Sequence, residues 1–280
     1  MHSLSTEQNV TITSARRKKL WSRIIYLNLA AGFLHSFVAG MTAYFSKGEA
    51  TIPVTTHFPD SSFKPDMQHV QDFPSGYLTV GYSVPSAIEH FVSFFLLTYD
   101  SSTQWSKWLL QGPDYVRWIS YSISAPIMMV QMCLRSGAFD PVLLTSVCFL
   151  ILTMMTFGIL TEALLFEPVK ESYPKATLYL GWIPFIGAWV VLFTFFFRSA
   201  SKGTAPWFVY AIVCGEFVIM NLFGVVSVYS VSKHKFLSRD AITSPRKHYI
   251  VTRIITMYII LSFTAKLFLA VLNWYGSQSV

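Results

Sequence analysis

One lysine lies within a long apolar stretch near the end of the chain. Lys266 falls in residues 249–275, which are almost entirely apolar beyond Arg253. A charged side chain at the centre of a bilayer costs roughly 2.5–3.5 kcal/mol on insertion scales, so a lysine in such a stretch requires an explanation. Either the ammonium is ion-paired for structure, or the amine is a covalent attachment point that forms a Schiff base with a carbonyl compound.

Ser262 precedes this lysine by four residues, which places both side chains on one face of a helix. Its hydroxyl can hydrogen-bond the lysine nitrogen or a nearby water. It can equally bond back to a carbonyl of its own helix. Both alternatives stay open at the level of the sequence.

Two histidines and a glutamate interrupt other apolar stretches: His35 in the first, and the adjacent Glu89 and His90 in the second. A lone histidine within a membrane often serves only as a hydrogen bond between helices. Two histidines at mid-depth, in a bundle that also holds a lysine, favour a shared polar cavity. Adjacent residues point about 100° apart on a helix, so Glu89 and His90 need not face the same side.

Two further carboxylates lie in apolar stretches. Glu162 lies about one turn from the end of the fourth stretch, which favours a solvated or snorkelling side chain. Glu216, in the sixth stretch, is ambiguous in the same way. The third stretch contributes the hydroxyls of Ser120 and Ser124 instead of a carboxylate.

Aromatic residues make up 16% of the chain, and several fall in the fifth and sixth stretches, among them Trp189 and Phe217. Beside a buried lysine they would shape a slot for a flat polyene. Aromatic side chains are also ordinary filling and interface residues of membrane proteins, which is the default for most of them.

The composition assigns the chain to the polytopic membrane proteins. Charged residues are only 12% and hydrophobic residues 53%, whereas soluble domains carry about 25% charged residues. Apolar runs of about 20 residues predict seven spans, and such runs are too long for barrel strands. The predicted fold is an all-α seven-helix transmembrane bundle, with spans at 20–46, 76–99, 114–136, 141–165, 175–198, 206–232 and 248–275.

The basic residues predict the orientation of this bundle. Fifteen of the 21 lysines and arginines fall on the side of the N-terminus, five fall on the opposite side, and Lys266 lies within a span. The positive-inside rule therefore predicts a cytoplasmic N-terminus and an extracellular C-terminus. The clustering of basic residues beside the spans speaks against a nucleic-acid partner.

The predicted organisation is a cytoplasmic tail at 1–19, a helical domain at 20–275 with an extracellular loop at 47–75, and an extracellular tail at 276–280. Within the loop, residues 51–56 can form a short β-hairpin or an edge strand.

Four motifs in this order resemble those of the heliorhodopsins. They are Gly32-Phe33-Leu34-His35, Ser86-Ala87-Ile88-Glu89-His90, residues 117–125 (RWISYSISA), and Ser262-Phe263-Thr264-Ala265-Lys266. The similarity extends over the whole chain and agrees with the orientation given by the charges. It implies a light-sensing photoreceptor with all-trans retinal bound to Lys266 as a protonated Schiff base. It also implies Ser262 beside that linkage, a proton-accepting cavity lined by His35 and His90, and a homodimer formed partly by the first extracellular loop.

The chain departs from this family at Ser120, where the family has the glutamate that serves as counterion. A protonated Schiff base without a counterion loses the stabilisation of its charged form. Three outcomes stay open. Glu89 takes over the role, an anion such as chloride binds beside Ser120, Ser124 and Ser262, or the Schiff base is deprotonated at neutral pH. The hydroxyl-rich surroundings favour the anion.

The predicted function is therefore a retinal-binding photoreceptor of the plasma membrane that does not pump ions and has a cytoplasmic signalling partner of unknown kind. Light-gated or light-driven transport of protons or anions is the alternative. An intramembrane metalloenzyme is disfavoured, because His35 and His90 lie on separate helices without a compact metal-ligand motif.

Overall fold

The computed structural model describes residues 2–45, 51–59, 61–62, 64–99 and 104–278. Parts of the predicted 47–75 loop (47–50, 60 and 63) and of the predicted C-terminal tail (279–280) lie outside these residues. The elements, in chain order, are α1 (His2–Phe45), β1 (Thr51–Pro59), β2 (Pro65–Pro74), α2 (Gly76–Tyr99), α3 (Gln104–Leu109), α4 (Tyr115–Arg135), α5 (Pro141–Phe166), α6 (Ser172–Ser201), α7 (Trp207–Ser232), α8 (His234–Arg239) and α9 (Pro245–Gln278).

Seven of these helices form a closed ring. α1 packs against α2, α2 against α4, α4 against α5, α5 against α6, α6 against α7, and α7 against α9, which returns to α1. A helix satisfies its own backbone hydrogen bonds, which is the condition for crossing lipid. The predicted seven-helix bundle is confirmed, and its span boundaries agree with the helices to within a few residues. α1 begins well before the predicted span and continues through it.

Six helices in the described part of the chain are long and apolar enough to cross a membrane: α1, α2, α5, α6, α7 and α9. The seventh, α4, turns polar side chains inward, and four of these are buried: Arg117, Ser120, Ser124 and Gln131. A helix that faces the interior of the bundle can carry such residues because its neighbours shield them from lipid.

An aspartate caps the first turn of α4 and another caps the first turn of α5, and a tight turn joins the two helices. Asp114 accepts a hydrogen bond from the Arg117 backbone at 3.2 Å. Asp140 caps α5 by accepting from Val142 N and Leu143 N, each at 2.9 Å. Between the two helices Gly137 adopts φ 95°, a conformation that a side chain disfavours. The caps and the turn set the residues at which α4 begins and ends and at which α5 begins.

The first long loop contains an antiparallel β-hairpin, as one of the two sequence alternatives predicted. β1 pairs with β2 from Thr51–Pro74 to Pro59–Pro65, with an irregularity between Val54 and Thr55. The hairpin is anchored to the α4–α5 turn, because Thr55 N donates to Phe139 O at 3.1 Å and Thr56 Oγ1 to Asp140 Oδ2 at 3.2 Å. The described side chains of β2 are mostly exposed.

A polar cluster joins three helices at the same end of the bundle as the hairpin. Arg135 Nε donates to Asn273 Oδ1 at 2.6 Å, and Arg135 Nη2 donates to Ser75 Oγ at 2.7 Å. Gln131 Nε2 donates to Thr79 Oγ1 at 2.9 Å. These bonds hold α4, α9 and the start of α2 together.

Candidate functional site

Lys266 lies inside the ring, on α9, with only 4% of its surface exposed. Its Nζ donates a hydrogen bond to Ser262 Oγ at 3.0 Å and lies 5.0 Å from the centre of the Tyr121 ring. The structure therefore decides between the two alternatives for Ser262: its hydroxyl faces the lysine nitrogen. The aromatic ring adds a favourable interaction with a cationic group.

A largely apolar cavity, lined in part by Lys266, lies between α4, α5, α6, α7 and α9. Its lining includes Trp118, Tyr121, Trp182, Phe185 and Phe223, together with several methionines. Long side chains of this kind build a slot for an elongated apolar molecule whose polar end meets the amine.

Two of these tryptophans pack directly on glycines. An added Cβ at Gly224 would lie 2.6 Å from Cζ2 of Trp182, and a Cβ at Gly158 would overlap the ring of Trp118. Because both rings line the cavity, the two glycines set how far the tryptophans stand back from it. A side chain at either position would push an indole into the slot.

Trp189 and Phe217, the two aromatic residues predicted from the sequence to contact the chromophore, lie elsewhere. Their ring centres are 5.0 Å apart, and both rings pack on Phe193. Neither residue lines the cavity. Aromatic type and span number could not separate them from Trp182 and Phe223, because the inward direction depends on how α6 and α7 are rotated in the bundle.

The two predicted histidines lie against each other across the α1–α2 contact. The rings of His35 and His90 are parallel, with an interplanar angle of 2° and centres 5.5 Å apart. His90 Nδ1 lies 2.8 Å from Asn28 Oδ1. The Nε2 atoms of both rings are buried and have no partner among the described residues. Both histidines lie close enough to Lys266 for electrostatic interaction.

Glu89, the neighbour of His90 in the chain, is 4% exposed and also interacts electrostatically with Lys266. Ser120 Oγ donates to Pro85 O of α2 at 3.3 Å, one turn before Glu89, and lies within reach of the Glu89 carboxylate. The structure thus brings Lys266, Glu89 and Ser120 together from three helices.

Ser124, the remaining serine of the predicted anion site, lines the cavity with Ser262 and Lys266. Its Oγ is buried and has no partner among the described residues. Ser120 is absent from the cavity lining and faces α2 instead. The three serines of the predicted anion site therefore face two different surroundings.

The prediction of a solvated Glu162 is wrong. Its side chain is 15% exposed and forms an ion pair with Arg117. It also accepts from Trp118 Nε1 at 2.6 Å and from Asp114 N at 3.2 Å. The Arg117 guanidinium lies 4.2 Å from the centre of the Tyr258 ring. Position near a helix end suggested solvent, but the adjacent α4 supplies a buried cation and an indole N–H.

Glu216, the second ambiguous carboxylate, is fully buried at 0% exposure. Neither of its carboxylate oxygens has a partner among the described residues. It lies near Tyr82 of α2, with which it interacts electrostatically. Sequence reasoning named this residue but could not place it, because only the packing of α7 against its neighbours excludes solvent.

The sequence profile of the heliorhodopsins matches residues 24–278, which include every side chain of this site. The chain belongs to the heliorhodopsin family. No curated protein matches this heliorhodopsin by sequence. Membership of the family implies a retinal chromophore and an integral, multi-pass location in a membrane.

Solved rhodopsin structures share the fold of this heliorhodopsin. Exiguobacterium sibiricum rhodopsin matches with a TM-score of 0.64 and 13% identity, covering 93% of the heliorhodopsin and 97% of that chain. A thermophilic rhodopsin from Rubrobacter xylanophilus matches with a TM-score of 0.55 and 15% identity, over 94% and 96%. Xanthorhodopsin, a light-driven ion pump with a dual chromophore, matches at 0.57 and 12%, over 93% and 96%. At such identities the likeness concerns the fold alone.

The residues of this heliorhodopsin fit retinal. The amine of Lys266 opens into the cavity, the remaining lining is mainly apolar, and Gly224 and Gly158 leave room beside two indoles. An aldehyde joined to the amine would place its polyene among aromatic and methionine side chains. One cavity thus supplies both the amine that a covalent bond to retinal needs and the apolar lining that its polyene needs.

Proposed function

We propose that this protein is a light-sensing photoreceptor that holds all-trans retinal on Lys266. The observation that carries the proposal is a buried lysine amine at one end of an apolar, aromatic-walled cavity. Bound retinal would supply light absorption and isomerisation about a double bond. The sequence match to the heliorhodopsins supports the same conclusion.

Residues of the chain orient the lysine amine for retinal attachment and supply acceptors for a proton that leaves the linkage. Ser262 orients the lysine nitrogen, and the apolar lining excludes water from the linkage. His35 and His90 present two buried Nε2 atoms without protein partners. Imidazole exchanges protons near neutral pH, so this pair is the proposed acceptor for a proton that leaves the linkage.

An absorption spectrum after reconstitution with all-trans retinal tests the proposal. The wild type is expected to form a pigment band that disappears on treatment with hydroxylamine and light. Lys266→Ala removes the amine and is expected to abolish the band, whereas Lys202→Ala, an exposed lysine, leaves it unchanged. An equal covalent yield of retinal on the Lys266→Ala variant would contradict the assignment.

We further propose that the photoreceptor is a homodimer in the plasma membrane, with a cytoplasmic N-terminus and a cytoplasmic signalling partner. The threefold excess of basic residues on the N-terminal side supports the orientation. A sensor of this kind moves protons only within its cavity, so illumination of voltage-clamped cells is expected to give no steady photocurrent.

Ion transport is the second candidate function, and Glu216 is the observation that favours it. In the proposed orientation this buried carboxylate lies in the outer half of α7, where a proton could leave toward the outside. A steady photocurrent in the wild type that is lost in Glu216→Gln would establish transport. A complete photocycle without current would favour the sensor.

Charge balance at a cationic linkage on Lys266 has two candidates. Chloride beside Ser120, Ser124 and Ser262 is supported by the unpartnered Ser124 hydroxyl in the cavity. A carboxylate is the other candidate. Titration of halide into the purified pigment distinguishes them, since bound chloride requires an absorption maximum that moves with halide concentration.

A further inference from the structure

From Lys19 onward, the seven helices of the ring contain three carboxylates: Glu89, Glu162 and Glu216. Glu162 is engaged by Arg117 and Trp118. Glu216 shows no electrostatic interaction with Lys266 among the described residues. Glu89 therefore remains as the spanning-helix carboxylate that can balance a cation on Lys266.

The position of Glu89 is fixed by contacts between α2 and α4. Ser120 donates to the Pro85 carbonyl, which lies one helical turn before Glu89 on α2. The same hydroxyl is within reach of the Glu89 carboxylate. Oε2 of Glu89 is buried and has no partner among the described residues. Ser120 thus brings α2 and α4 together at this level and leaves one carboxylate oxygen available.

Two other charged groups near Glu89, Arg117 and Asp114, have partners of their own. Arg117 Nη2 binds Glu162, although Arg117 Nε and Nη1 have no partner among the described residues, and the Asp114 carboxylate caps α4. Among the charges that act on Glu89, Lys266 has the largest effect. Lys266 is bound by the neutral Ser262 hydroxyl. A buried cation without an anion is strongly disfavoured, so pairing across the α2–α9 contact is the stable arrangement.

We propose that Glu89 of α2 is the counterion of the cationic linkage on Lys266, in place of a carboxylate on α4 at Ser120. This inference rests on the proposed function, because the linkage is the retinal attachment. The carboxylate stabilises the positive charge and sets the absorption maximum. A chloride at the same site would add a second anion beside Glu89, which like-charge repulsion disfavours.

Removal of the carboxylate tests the proposal. Glu89→Gln is expected to move the visible maximum strongly to longer wavelength, or to replace it at neutral pH by a near-ultraviolet band. Glu171→Gln, the same change at an exposed glutamate outside the cavity, is the control and is expected to keep the parent spectrum. A parent-like spectrum and pH titration in Glu89→Gln would overturn the proposal.

Moving the carboxylate between helices gives a second test. The double variant Glu89→Gln with Ser120→Glu returns a carboxylate to the same space from α4, and it is expected to restore the visible band at neutral pH. Glu89→Asp retains the charge one methylene farther back and is expected to keep a visible pigment. If the glutamine variants fail to fold, the wild type still decides, because a maximum that moves with halide would favour chloride over Glu89.

The pairing can also be measured without retinal. In the apoprotein, Glu89 holds Lys266 in the unreactive ammonium form, so Glu89→Gln is expected to raise the rate of reductive methylation of Lys266 at pH 8 by about tenfold or more. Peptide mass spectrometry reports this rate, and Glu171→Gln again serves as control. A wild type that forms no pigment would refute retinal binding, whereas equal methylation rates would refute the ion pair.

Discussion

At the level of single residues, the main physical question is which group of opposite charge stabilises each charged side chain inside the bundle. Lys266, Glu89 and Arg117 are buried and Glu162 is 15% exposed, yet only Arg117 and Glu162 form a direct ion pair among the contacts described. The surroundings of the two basic side chains differ. Glu162, the partner of Arg117, also accepts a hydrogen bond from Trp118, whereas Lys266 donates to Ser262 and lines the cavity.

The buried ion pair predicts a large effect on stability. Glu162→Gln removes the carboxylate that binds the buried Arg117 guanidinium, and breaking a buried ion pair typically costs about 3–5 kcal/mol. We expect a clear fall in the thermal midpoint of the purified protein, followed by circular dichroism in detergent.

Glu171→Gln is the matched control for this change. The Glu171–Lys175 pair, at 2.8 Å, is exposed, and exposed ion pairs contribute little to stability. Hydrogen bonding from Lys175 lowers the pKa of Glu171, so its small contribution is present at neutral pH and is lost as the pH falls below the usual glutamate range. Equal destabilisation by both variants would contradict the difference in burial.

At the level of elements, close helix packing shapes the cavity. α7 presents Gly224 to Trp182 of α6, and α5 presents Gly158 to Trp118 of α4. Because neither glycine has a side chain, the two indoles can pack against α7 and α5, and this packing sets the width of the cavity. The histidine of α8 secures the other end of α5, since the ring nitrogens of His234 lie 3.1 and 3.0 Å from the carbonyl oxygens of Leu165 and Val169.

Gly224→Ala is expected to reduce retinal uptake. The new Cβ would lie 2.6 Å from Trp182 Cζ2 and drive the indole toward the slot. The ratio of pigment absorbance to protein absorbance, measured after saturation with retinal, should fall or the maximum should move. Gly187→Ala, whose Cβ would meet Leu150 at an ordinary 3.5 Å, should behave like the wild type. Full uptake with an unchanged spectrum in Gly224→Ala would show that Trp182 can move away from the cavity.

At the level of the whole molecule, the β-hairpin and the polar cluster at its end of the bundle distinguish one face from the other. The hairpin is tied to the α4–α5 turn through β1, while β2 presents Met67 at 67% and Val70 at 54% exposure. Exposed apolar side chains on a strand offer a surface for a second subunit.

Exchange of these two residues is expected to weaken the homodimer. Met67→Glu combined with Val70→Glu places like charges on the proposed contact and should shift the detergent-solubilised protein toward monomer in light-scattering chromatography. Gln71→Glu on the same exposed strand adds one charge without removing an apolar side chain and should remain dimeric. A dimer in both variants would place the subunit contact elsewhere.

Labelling with a membrane-impermeant maleimide tests the orientation. In a background without Cys133, Cys148 and Cys214, a cysteine introduced by Lys64→Cys should react on intact cells, because the proposed orientation places the hairpin outside. Lys170→Cys, between α5 and α6, should react only after permeabilisation. The reverse pattern would show an extracellular N-terminus despite the distribution of basic residues.

The sequence by itself determined the spans and their number, and it singled out Lys266 as the proposed attachment residue. Each apolar run forms a helix that satisfies its own backbone hydrogen bonds, so local composition is enough to locate it. Motif order also pointed to the family, and the family profile confirmed it.

Only the tertiary structure decided which side chains meet. Glu162 changed from a predicted solvated carboxylate to a buried partner of Arg117, and Trp182 rather than Trp189 lines the cavity. The proximity of Glu89 to Lys266 depends on α2, α4 and α9 closing the ring at particular rotations. Rotation is set by packing between distant segments, and the type and spacing of residues within one span carry little information about it.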